Sequence, residues 1–116
     1  MPGTSAPINR KNNNEITVFG NPSASGNTAA VAAAGAGIMI RVLSLTLVNG
    51  ATANGVKFQS ATTDITCLFA LGVNGGLVLD HNKAGHFQTA ANEALNINLS
   101  GATAVGYILN YQLTQV

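Results

Sequence analysis

Apolar side chains in the second half of this chain recur at every other residue. Leu95, Ile97 and Leu99 alternate with Asn96, Asn98 and Ser100, and Val105, Tyr107, Leu109, Tyr111 and Leu113 alternate with Gly106, Ile108, Asn110 and Gln112. A period of two sends successive side chains to opposite faces of a strand, whereas a helix requires a period near 3.6. Leu43, Leu45 and Leu47 repeat the pattern against Ser44 and Thr46, yet Ile38, Ile40 and Val42 just before them occupy the other parity. That change of phase predicts a β-bulge near Arg41–Leu43, or a segment covered on both faces.

Turn signals divide the rest of the chain into similar pieces. Gly20-Asn21-Pro22, Asn49-Gly50, Asn54-Gly55 and Gly75-Gly76 are strong punctuation. Between them lie Ile16–Phe19, Val56–Gln59, Asp64–Leu71 and Leu77–Leu79, all with strand character. The stretch 27–34 is rich in Ala, but Gly35 and Gly37 end it after two turns at most, so it is read as a strand too. About eight short strands and no convincing helix predict an all-β antiparallel sandwich, of jelly-roll type, with a closed barrel as the competing architecture. At 116 residues the chain fits one domain. Residues 1–14 differ from the rest of the chain: they hold two prolines, three consecutive asparagines and Ile8 as their one sizeable apolar side chain. Such a segment buries too little to offset its ordering entropy and reads as an extended, flexible arm ahead of a sandwich spanning 15–116.

Charge is scarce. Five Lys and Arg stand against four Asp and Glu, 8% of the chain where about 25% is usual. A net charge of +1 gives little attraction for a nucleic-acid backbone or an anionic membrane. The N-terminus has no apolar core of a secretory signal, and the Ala- and Gly-rich stretch 29–40 is too short to span a bilayer. Cys67 is the single cysteine, so the chain forms no internal disulfide, and its apolar neighbours predict a small buried hydrophobe.

Chemistry-bearing residues gather at one place, the loop Asp80-His81-Asn82-Lys83-Ala84-Gly85-His86. Asp80, His81 and His86 offer oxygen and nitrogen ligands, but a loop scatters neighbouring side chains and no fourth ligand is evident, so a solvated turn is the expectation and no metal or cofactor is assigned. No Ser lies in a nucleophile elbow, Cys67 has no base beside it, and the four carboxylates are isolated from one another in sequence. The five basic residues are dispersed, and the aromatics fall mostly on core parity instead of forming a stacking platform. The chain reads as neither an enzyme nor a nucleic-acid binder.

A surface so poor in charge, on a protein with many strand edges, is resolved if much of it is covered in a permanent assembly. The segments Arg41–Val48 (RVLSLTLV), 56–66 (VKFQSATTDIT), 87–100 (FQTAANEALNINLS) and 105–111 (VGYILNY) resemble the small β-sandwich proteins found among the virion proteins of tailed bacteriophages. The resemblance covers roughly residues 38–113 and carries no catalytic signature. It implies a capsid decoration (cement) protein, a head fibre or another minor virion component; decoration proteins of this kind are often homotrimers seated on the major capsid protein, here of a virion assembled in the bacterial cytoplasm. Under that reading Pro7, Ile8, Arg10 and Lys11 of the arm lie along capsid protein, while Asp80, His81, His86 and Phe87 form an outward loop. Two alternatives stay open: a receptor- or glycan-binding head or tail fibre module, with Phe87 as its aromatic contact, and a bacterial TNF-like or carbohydrate-binding domain outside any virus.

Overall fold

The computed structural model describes residues 14–115, so the arm residues Pro7, Ile8, Arg10 and Lys11 lie outside the described residues. The chain forms β1 (Ile16–Gly20), β2 (Gly26–Val31), β3 (Ile38–Asn49), β4 (Asn54–Ser60) and β5 (Thr63–Asp64). It continues through β6 (Phe69–Leu71), β7 (Gly76–Leu79), β8 (Phe87–Gln88), β9 (Leu95–Leu99) and β10 (Val105–Gln115). The first sheet runs β1-β10-β3-β7 with β8 also on β3, and the second runs β2-β9-β4-β5 with β6 also on β4. Every pairing is antiparallel.

The pairings have a simple logic. β1 meets β10, β2 meets β9, β3 meets β7 and β8, and β4 meets β5 and β6. The chain is therefore one long hairpin rolled into two facing sheets, which is the jelly roll. The expected eight strands appear as ten because the stretch 64–71 divides into β5 and β6, and Phe87–Gln88, not among the expected strands, adds β8. Between β5 and β6 the hydroxyl of Thr66 accepts the Phe58 N–H at 2.9 Å, taking the place of a ladder bond, and the chain leaves the sheet. Between β7 and β8 the loop 80–86 bulges outward before Phe87 rejoins β3 opposite Val42.

The phase change in β3 is a bulge at Leu43. Ser44 pairs with Asn110 and Val42 with Tyr111, leaving Leu43 as the extra residue. Ile40 and Val42 on one side of it, and Leu45 and Leu47 on the other, all reach the same core. Facing them are Val56 and Phe58 of β4 and Leu95, Ile97 and Leu99 of β9, each at most 1% exposed. Each such side chain contributes about 1.5–3 kcal/mol by leaving water.

Cys67 departs from expectation. It is exposed, because it lies in the break between β5 and β6, where the backbone no longer follows a strand's alternation.

Candidate functional site

The loop between β7 and β8 is held by its own backbone. Asn82 N–H donates to Leu43 O at 2.9 Å, His86 N–H to Val42 O at 2.8 Å, and Gly85 N–H to Asn82 O at 2.8 Å. Asp80, His81 and His86 are exposed. The two imidazoles have separate partners: His81 Nε2 lies 3.0 Å from Glu15 Oε1, and His86 Nε2 donates to the Asp80 carbonyl at 2.7 Å. Among the described residues no three His, Cys, Asp or Glu side chains converge on a point that would hold a metal ion.

Phe87 corrects the sequence reading. It turns inward and packs on Phe58, ring centroids 5.2 Å apart and tilted by 34°, and so is no outward aromatic contact. Its pairing with the core residue Val42 sets that direction.

Gly85 sits at φ +86°, and a Cβ there would collide with Arg41 Cγ and come within 2.7 Å of Cδ. Gly85→Ala therefore combines backbone strain with a clash, and we expect a loss of about 1–3 kcal/mol, read by urea unfolding. An unchanged midpoint would mean that the loop is not pressed against Arg41.

The outer faces of the two sheets differ in chemistry. On the second sheet Asn98 Nδ2 donates to Asn27 Oδ1 at 2.8 Å, and Gln59 Nε2 to Asp64 Oδ1 at 2.6 Å. Lys57 Nζ lies 3.1 Å from Asp64 Oδ1. The Gln59 amide first and the Lys57 ammonium second hold the Asp64 carboxyl below its ordinary value of 3.8. A depressed carboxyl stabilises the fold above that ordinary value, and the contribution is lost as pH falls through the lower folded one. Gln59→Leu should move the Asp64 midpoint back up towards 3.8 in a carbon-13 carboxyl titration. An unmoved midpoint would assign the shift to Lys57 alone.

One end of the outer face of the first sheet, around Phe19, Val48 and Ile108, is apolar. Phe19 pairs with Ile108, Ile108 with Thr46 and Thr46 with Val78, so one row crosses β1, β10, β3 and β7. Phe19 is 76% exposed, Val78 64%, Val48 58% and Ile108 46%. Phe19, Val48 and Ile108 line a groove of about 210 Å³ together with Gly106 and Asn21. None of the residues in this row or lining this groove carries a charge. Phe19 is hidden in the sequence, since it belongs to a short apolar run whose other members, Ile16 and Val18, share the inward parity.

In comparisons with known proteins, no family model matches the chain and no curated protein matches it by sequence.

Proposed function

We propose that this chain is a non-enzymatic structural protein of a phage virion, a capsid decoration protein that assembles with itself as a homotrimer and seats on the major capsid protein. The observation that carries the reading is the exposed, charge-free apolar row on the outer face of the first sheet. A contiguous apolar patch of this kind on a soluble domain marks a contact surface. Depletion of charge is the compositional mark of the centre of such interfaces. Identical uncharged faces meet without like-charge repulsion, which suits association of copies. The polar, hydrogen-bonded face of the second sheet suits water on the outside of the particle. Many weak contacts repeated over a lattice resist internal pressure by multivalency.

The test is the absolute mass of the purified chain over a wide concentration range, followed by sedimentation with capsids of the phage that encodes it. A trimer that co-sediments to saturation is expected. A monomer at every concentration, or a trimer that stays in the supernatant, would sink the proposal.

The glycan-binding alternative draws on one observation, the exposed Phe19 ring beside Asn21, an aromatic plate next to an amide. Glycan-array binding that Phe19→Ala abolishes, without change of oligomeric state, would favour that reading instead.

A further inference from the structure

We infer that Arg41 is a socket for a carboxylate presented by a partner chain. Arg41 lies on β3 with the fully buried Ile40 and Val42 on either side, so its side chain leaves from the outer side of the first sheet. Its aliphatic stem runs beneath the loop at Gly85, where no Cβ would fit. Its Nε donates to Gln88 Oε1 at 2.9 Å, and Gln88 Nε2 donates in turn to Met39 Sδ at 3.2 Å. The guanidinium is thus fixed in direction by neutral groups. Arg41, Gly85 and Gln88 line a cavity of about 290 Å³ together with Ala84, His86 and Phe87.

The guanidinium has no counter-charge among the described residues. Among these, Lys57 pairs with Asp64 and the His81 imidazole contacts Glu15, and no described carboxylate lies within 4.0 Å of Arg41. A positive group whose stem is clamped and whose Nε is occupied has already lost most of its rotamer entropy. Its two terminal amino groups therefore bind an incoming acceptor with little further ordering cost. The loop that clamps it is held by backbone hydrogen bonds to β3 at Leu43 and Val42, so the cavity is formed before anything enters.

The chemistry of the acceptor is set by charge and shape. A carboxylate is planar, carries one negative charge and matches the guanidinium fork. A phosphate group carries nearly two charges at neutral pH and calls for a second cation. Among the described residues no Lys or second Arg supplies one, because Lys83 does not line the cavity and Lys57 is paired on the other sheet. His86 uses Nε2 on the Asp80 carbonyl. The acceptor is an Asp or Glu side chain, or a chain terminus, of a neighbouring protein.

The experiment is a titration of the full nitrogen-15-labelled chain, followed at the Arg41 Nε–H resonance. Sodium acetate is the probe, against sodium chloride at matched ionic strength. A saturable shift with acetate, half complete at about 10–100 mM as befits a single partly exposed ion pair, is expected. Arg41→Lys keeps the charge and the stem but loses the fork, and should weaken acetate binding at least about fivefold, read from the neighbouring His86 and Gln88 amides. Equal responses to acetate and chloride would overturn the inference. So would tighter binding of inorganic phosphate than of acetate, which would make the site one for phosphoryl groups. The titration uses the unaltered protein, so its outcome does not depend on how the variant folds or on whether the chain forms trimers.

Discussion

Phe58→Ala is expected to lower the unfolding temperature by about 10–20 °C, the largest stability effect of any single truncation in this chain. Phe58 is fully buried at the centre of β4, and it meets Phe87 from the opposite sheet. Removing a ring of that size from a packed core costs about 3–5 kcal/mol, the lost transfer energy plus the cavity left behind. A domain of this size has a total stability of roughly 5–15 kcal/mol, so the variant sits near the limit of folding. The effect also reaches the surface. Phe87 anchors β8 beside Val42, and β8 ends the loop that presses on Arg41. Loss of Phe58 should therefore loosen the Arg41 cavity as well as the core. Thermal unfolding followed by near-ultraviolet circular dichroism measures the first effect, and amide hydrogen exchange of residues 82–88 the second. A loss of less than 1 kcal/mol would show that the contact between the sheets is centred elsewhere.

Features that depend on neighbours along the chain are legible in the sequence. The alternation of β10, with Val105, Tyr107, Leu109 and Tyr111 inward, appears as expected. So does the bulge, because a shift of parity between Val42 and Leu45 has few other physical solutions. Phe87 escapes such reasoning for the opposite reason. A two-residue strand has no periodicity, and only its pairing with Val42, 45 positions away, decides which way the ring points. Cys67 escapes it because the Thr66 hydroxyl replaces a ladder bond and breaks what looks in sequence like one continuous strand. The Arg41 cavity is invisible for a similar reason, since Arg41 and Gly85 come together only after the loop folds back on β3. The unequal outer faces are half legible. Asn96 and Asn98 announce a polar face in sequence, whereas the row from Phe19 to Val78 is assembled from four strands far apart in the chain.

That row gives the second large expectation, a change of assembly and not of fold. If the chain assembles with itself as proposed, Ile108→Glu should convert the assembly into particles of 11.7 kDa, measured by light scattering or sedimentation. Ile108 stands between Phe19 and Thr46 on the outer face and is 46% exposed, so in the separated protomer a glutamate keeps its carboxylate in water. The fold of the protomer should change by no more than about 0.5 kcal/mol. In the assembled state the same carboxylate would be enclosed among Phe19, Val48 and their counterparts with no cation near it. Burying an unpaired charge costs several kcal/mol, and every 1.4 kcal/mol is tenfold in affinity, so dissociation by a factor of at least about 100 is expected. Asn98→Glu on the outer face of the second sheet is the matched control, because that face is already polar and hydrogen-bonded. It should leave the mass unchanged. If Asn98→Glu dissociated the assembly and Ile108→Glu did not, the copies would be meeting through the polar sheet. Under the proposed function the apolar row would then be free for the capsid, where the same uncharged surface would need a neutral or apolar patch on the shell to receive it.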